Sequence, residues 1–310
     1  MRRILRRLGW SLLIIWFVVT ATFLMVVAIP SDPAKTILGP RATPEALVRV
    51  NDHYCFDESI VVQYGCWLGN VATGDLGESY RTRRPVSELL GDRVWPTLQL
   101  ALAAIALQIL FGVPLGLWAA RRKREWPDRA VTWVSLIAQS APPFVIGTVL
   151  LYIVAYRWEL LPLGGYGEGG LDRLAHLVLP AATLAIAGIA YYARITRNEL
   201  VETLAQDYVR TARSKGLPES TVLMRHAFRP ALPPLVTLVG LDLGILAGGA
   251  VVTESVFAWP GLGREMLQAI LDVDMPVILG VVLVTAIAVA VANLLVDLVH
   301  VALDPRLRDD

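Results

Sequence analysis

Six apolar stretches, each about as long as a bilayer's hydrocarbon core is thick, limit what this chain can fold into. A helix needs roughly 20 apolar residues to cross about 30 Å, because no water there satisfies its backbone groups. The 310-residue chain holds such stretches at 10–29, 97–120, 130–156, 177–193, 235–257 and 277–302. With 55% hydrophobic and only 18% charged residues, the composition is that of a membrane protein, and a net charge of +1 argues against nucleic acid as a partner. The expected fold is an all-α integral membrane protein of six transmembrane helices. The fourth stretch is the shortest and carries Pro180, so its ends are the least defined. Trp10, Trp16, Trp95, Trp118, Trp133, Trp158 and Trp259 fall near the ends of the spans, as amphipathic rings do at a membrane interface.

Basic residues orient these spans. Arg2, Arg3, Arg6 and Arg7 precede the first, and Arg121, Arg122, Lys123, Arg124 and Arg129 follow the second. Arg194, Arg197, Arg210, Arg213, Lys215, Arg225 and Arg229 surround the segment after the fourth, and Arg306 and Arg308 lie in the tail. These segments hold 18 of the 28 Lys and Arg. Segments 1–9, 121–129, 194–234 and 303–310 are therefore expected in the cytoplasm, and 30–96, 157–176 and 258–276 outside. The first stretch is too long for a signal-peptide core, and Ala28-Ile29-Pro30-Ser31 is a poor cleavage site, so it reads as an anchor.

The external segment 30–96 holds both cysteines, Cys55 and Cys66. An even pair confined to an oxidising side suggests a disulfide, the alternative being two unpaired small hydrophobes. Closing a loop of about a dozen residues stabilises by about 3 kcal/mol in the chain-entropy account. Asp32, Asp52, Asp57, Asp75 and Asp92 show no recurring ligand spacing, and His53 beside Cys55 is too little for a metal site, so no metal is expected.

Inside the membrane, Gly240, Gly244 and Gly248 recur every four residues, which puts them on one helix face and predicts close helix packing. The Gly112 and Gly116 pair reads instead as ordinary membrane-helix glycine. Ionisable groups there are expensive and point to function. Asp242, roughly 10 Å in from one end at 1.5 Å per residue, and Glu254 are candidates to line a translocation path. Asp242 equally suits pairing with a partner subunit, or a buried acid tied to backbone or to an arginine. Asn293 and Asp297 are expected to snorkel or to hydrogen-bond to the polar segment after the fourth span.

That polar segment, 198–234, is patterned. Val201, Leu204, Ala205, Tyr208, Val209 and Ala212 fall at i, i+3, i+4, i+7, i+8 and i+11, the stripe of one helix face. Gly216 ends this helix as a C′ glycine, and Pro218 with Glu219 opens a second one carrying Leu223, Met224, Ala227, Phe228 and Ala231. Arg225 and Arg229 point away from that face. Periodicity alone allows either an amphipathic hairpin lying on headgroups or a handle for a soluble partner.

Asp207-Tyr208-Val209-Arg210-Thr211-Ala212-Arg213-Ser214-Lys215-Gly216-Leu217 resembles the conserved cytoplasmic loop of ABC importer permeases, the EAA loop, in its peptide-transporter version. The family's Glu-Ala-Ala falls on Arg210, Thr211 and Ala212, so its acid is replaced, while its glycine is kept as Gly216. Further motifs follow in order. Pro30-Ser31-Asp32-Pro33, Gln63-Tyr64, Gly74-Asp75-Leu76-Gly77-Glu78-Ser79-Tyr80 and Pro85-Val86 are similar to the dipeptide, oligopeptide and nickel branch. So are Glu254-Ser255-Val256-Phe257-Ala258-Trp259-Pro260-Gly261-Leu262-Gly263, Asn293-Leu294-Leu295-Val296-Asp297-Leu298 and Asp304-Pro305-Arg306. The family's Arg-Asp-Tyr-Pro appears as Asp272-Val273-Asp274-Met275-Pro276, which replaces a basic and acidic pair by two outward acids.

The resemblance implies the type I importer permease fold, in the plasma membrane of a bacterium. It implies a peptide cargo, with nickel complexes or glutathione also open. Its implied partners are a second permease, two ATPase subunits and an external substrate-binding protein. The loop residues Asp207, Tyr208, Arg210, Thr211, Ala212, Ser214, Lys215 and Gly216 then couple to the ATPase. The chain has no Gly-x-x-x-x-Gly-Lys-Ser/Thr loop and no hydrolase or zinc-protease motif, so it is not expected to be an enzyme. ATP and Mg belong to the partner subunits in this reading. The rival is an ion-gradient transporter with Asp242 as its site.

Overall fold

The computed structural model describes residues 2–28 and 43–303. Its helices are α1 (Arg2–Val27), α2 (Pro44–Tyr54), α3 (Ile60–Ala72), α4 (Val86–Arg121), α5 (Trp126–Ser140), α6 (Pro143–Arg157) and α7 (Gly170–Leu204). They continue as α8 (Asp207–Ser214), α9 (Glu219–Phe228), α10 (Leu232–Ala247), α11 (Val251–Val256), α12 (Leu262–Leu271) and α13 (Met275–Leu303). Among the described residues there is no strand, only an antiparallel bridge between Glu78 and Pro85. Four helices are long and apolar enough to cross a membrane, and six spans result when the bent pairs α5–α6 and α9–α10 each count as one. The Pro30-Ser31-Asp32-Pro33 motif and the Asp304-Pro305-Arg306 tail lie outside the described residues.

Backbone chemistry decides where the expected spans break. The third, expected unbroken over 130–156, bends by 96° between α5 and α6. Pro142 and Pro143 follow Ser140 and Ala141 there, and two successive residues without an N–H cannot continue the ladder. Pro180 does not stop α7, which runs for 35 residues and overshoots the expected 177–193 at both ends. The fifth span, expected over 235–257, is interrupted. α10 ends at Ala247, and Gly249 takes φ +90° where the backbone of Gly263 lies against it. A side chain at Gly249 would be strained and would also collide.

Small residues set the helix spacing. Cβ atoms on Gly240, Gly244 and Gly248 would all face α13, at Val296, Val289 and Thr285. The Gly112 and Gly116 pair is also a packing site, contrary to the expectation from composition. A Cβ on Gly112 would lie 2.7 Å from the Tyr192 Cβ, and one on Gly116 would lie 2.5 Å from the Ala193 carbonyl oxygen and 2.6 Å from the Thr196 Cβ. The backbones of α4 and α7 thus approach as closely as glycine permits. Gly116→Ala is expected to cost about 1–3 kcal/mol of overpacking. Thermal unfolding in detergent measures it, with Gly65→Ala as a control because nothing lies within 4 Å of that position. Equal midpoints for the two variants would show that the α4–α7 contact is not tight.

The core at one end of the molecule joins the segment between the first two spans to the membrane helices. Phe23 and Val26 of α1, Leu89 and Leu90 of α4, Leu262 of α12 and Met275, Val277, Ile278 and Leu279 of α13 form one buried cluster, with Tyr64 and Trp67 of α3 packed on it. Cys55 and Cys66 are bonded to each other, which ties the turn after α2 to α3. Trp259, expected at a membrane interface, is instead 0% exposed and donates its indole N–H to the Pro96 carbonyl at 2.9 Å. We call this the loop end, and the opposite one, which carries α8 and α9, the hairpin end.

Candidate functional site

At the hairpin end the apolar stripe expected on one helix is divided between two. α7 ends at Leu204, Ala205 and Gln206 turn the chain, and Asp207 opens α8. Val209 and Ala212 face inward and meet Val222 of α9, with Leu204 packed alongside. Tyr208 is 48% exposed and Met224 50% exposed, although periodicity placed both on buried faces; Val222 takes the inward position instead. Arg225 and Arg229 are exposed, as the pattern predicts. Gly216 follows with φ +73°, the left-handed conformation that a side chain makes costly.

The hairpin is braced across its turn. Arg213 donates from Nε and Nη2 to the Glu219 carboxylate at 3.2 and 2.8 Å. That guanidinium holds the Glu219 carboxyl below its usual range, so the brace persists until acid titrates the carboxylate. On the outer face Asp207, Tyr208, Arg210, Thr211, Ser214 and Lys215 are all exposed. Ala212, which the resemblance grouped with them, belongs to the buried side and supports the presented face.

The hairpin is seated on the spans. Leu223, Ala227 and Ala231 pack against Leu200 of α7 and Ala120 of α4, with Leu117 and Phe228 around them. Arg197 of α7 forks onto Asp128 of α5 at 2.6 and 2.9 Å, and the Asp128 Oδ2 also accepts the Arg124 N–H at 2.8 Å. The planar fork fixes direction as well as charge. Sequence reasoning did not single out Asp128. Its signal was an acid embedded in the basic run from Arg121 to Arg129. The seat thus joins α9 to α4 and α7, and the ion pair joins α7 to α5.

The membrane acids have specific partners. Asp242 accepts the Tyr192 hydroxyl of α7 at 2.8 Å, rather than pairing with an arginine or a backbone group. Glu254 is 0% exposed and does not line an open path, contrary to expectation. Its Oε1 accepts the Thr97 hydroxyl and its Oε2 the Arg264 N–H, both at 2.9 Å. Of the two acids expected to point outward, only Asp272 is accessible, held by Arg81 at 2.7 Å. Asp274 is buried and accepts the Ser79 hydroxyl at 2.5 Å. Asn293 and Asp297, with Trp10, Thr237 and His300, border a cleft of about 440 Å³ between α1, α10 and α13. Among the described residues, no three His, Cys, Asp or Glu side chains converge as a metal site.

A bundle of four long apolar helices and two bent apolar pairs, with a polar hairpin seated on α4 and α7, defines the class of a multi-pass membrane transport subunit. Residues 112–309 match the model of the binding-protein-dependent transport system inner membrane component family, and residues 1–101 match that of its N-terminal part. The chain belongs to this family of ABC importer permeases, proteins of the bacterial inner membrane. A protein of Brucella abortus (strain 2308) named as a peptide transport system permease is 41% identical over 312 residues, covering 99% of each chain. The glutathione transport system permease protein GsiC of Salmonella choleraesuis (strain SC-B67) is 37% identical over 305 residues, covering 98% of each. The fold is shared with the MetNI methionine ABC transporter in an inward-facing conformation. That likeness has a TM-score of 0.56 at 18% identity over 70% of this chain and 96% of that one. An ion-gradient carrier built on Asp242 finds no support among these relatives.

Proposed function

We propose that this chain is one of two permease subunits of an ATP-driven importer of peptides, and that α8 is the element its ATPase grips. The observation that carries this reading is the hairpin: α8 presents Asp207, Tyr208, Arg210, Thr211, Ser214 and Lys215 outward while its other face packs on Val222 of α9, and α9 in turn is seated on α4 and α7. The basic segments support an orientation with the hairpin end and both termini in the cytoplasm and the loop end outside. The partner permease is a distinct homologous chain, two ATPase subunits bind and hydrolyse ATP with Mg, and an external binding protein delivers the cargo. Peptides are the cargo because relatives across nearly the full length carry peptide and glutathione permease names. ATP binding draws the ATPase pair together, α8 follows, and the spans pass from inward-open to outward-open as a two-state element.

The test is a Ser214→Cys variant in membranes that also contain the candidate ATPase, with a single cysteine in the groove of that ATPase. A crosslink whose yield changes with ATP is expected. Absence of any crosslink, together with ATP hydrolysis indifferent to the permease, would overturn the reading.

A further inference from the structure

At the loop end, residues 164–170 read Gly-Gly-Tyr-Gly-Glu-Gly-Gly. Gly165, Gly167 and Gly169 take φ of +100°, +71° and +131°, and the Gly165 N–H donates to the Phe257 carbonyl at 2.8 Å. These turns drive Tyr166 inward. Its ring meets Trp259 edge-on at 4.9 Å between centroids, and its hydroxyl donates to the Gln99 Oε1 at 2.7 Å. On the ring lies the Arg173 guanidinium, 4.2 Å from the centroid.

Arg173 is unsatisfied in this arrangement. Its Nε is buried with no hydrogen-bond partner, and among the described residues no carboxylate forms an ion pair with it. The neighbouring Asp172 is turned elsewhere: its Oδ2 accepts the Glu168 N–H at 2.8 Å, and its Oδ1 lies 3.5 Å from the His176 Nδ1. Stacking uses the face of a guanidinium; with Nε enclosed, its Nη N–H groups are the edge left for an acceptor. An arginine held flat on an aromatic ring, half-buried and lacking an anion, is preorganised for a planar bidentate acceptor.

We propose that Arg173, braced on Tyr166 with Gln99 beside it, takes the terminal carboxylate of a peptide cargo at the outer mouth of the permease. This assignment rests on the peptide-importer reading above. The ring fixes the plane of the fork, Gln99 adds amide donors, and the glycines let the loop close over the first turn of α7.

The test uses the assembled importer with its binding protein in proteoliposomes, and compares import of trialanine with import of trialanine amide. Arg173→Gln is expected to shrink the acid-to-amide import ratio roughly tenfold relative to wild type, the loss of a charge-assisted hydrogen-bonded pair. The binding protein's own preference divides out of that comparison. Arg173→Lys, which keeps charge without the fork, is expected to fall between the two and decides the matter if the glutamine variant fails to assemble, as reported by ATP hydrolysis. An unchanged ratio in the variants, with or without an overall loss of import, would overturn the assignment and leave Arg173 a packing residue. A wild-type importer that moves neither tripeptide overturns the peptide reading itself, and this assignment with it.

Discussion

Glu254→Ala is expected to lower the stability of the permease by about 3 kcal/mol or more, since it strands several buried donors at about 1–3 kcal/mol each. The carboxylate ties three elements together. It belongs to α11, accepts the Thr97 hydroxyl of α4, and accepts the Arg264 N–H in the first turn of α12, where a helix's own N–H groups have no internal partner. Thr97 in turn accepts the Leu262 N–H at 2.8 Å, so the network extends into α12. Gly261 and Gly263 complete the cage, because a Cβ on either would collide with the carboxylate. Glu254→Gln keeps the shape but turns an amide donor toward a donor, and should recover only part of the loss. Thermal unfolding of the purified subunit in detergent measures both variants. An alanine variant with the wild-type midpoint would mean that the cage does not hold the loop end together.

Val209→Asp should have the larger functional effect. Val209 is wholly buried between α8 and Val222, and an unpaired carboxylate there costs several kcal/mol, enough to lift α8 from its seat. Import by the assembled system is expected to fall roughly a hundredfold, because the ATPase grip is no longer transmitted to α4 and α7. Hydrolysis measured in the same vesicles should persist and lose its dependence on the binding protein. Arg210→Ala serves as the contrast: Arg210 is exposed, so its loss alters the docking surface and leaves the seat intact. Should Val209→Asp retain normal import, the lever through α8 is not the coupling route.

How much of this was legible depended on the range of the interaction. Chain-local signals served well. Apolar length gave the membrane body and the helical class, and the glycine at 216 and the proline at 218 marked the hairpin, because each acts through its own φ or its own missing N–H. Local rules failed where two segments compete. The 201–212 stripe fits one continuous helix, yet the chain turns at Ala205 because Val209 and Ala212 are better buried against Val222 than in line with Val201.

What the sequence by itself determined is therefore the solvent each segment must occupy and the residues that interrupt a helix. Both follow from transfer free energy and backbone sterics within a few residues. Only the tertiary structure decided what the polar groups do. Asp128 finds Arg197, 69 positions away, Glu254 finds Thr97 at a separation of 157, and Asp242 finds Tyr192. A glycine becomes a packing residue only when another backbone arrives beside it, as Ala193 does at Gly116. The physical reason is that a buried charge or a close backbone approach has no meaning until a distant element supplies the partner, and one strand of sequence does not carry that distance.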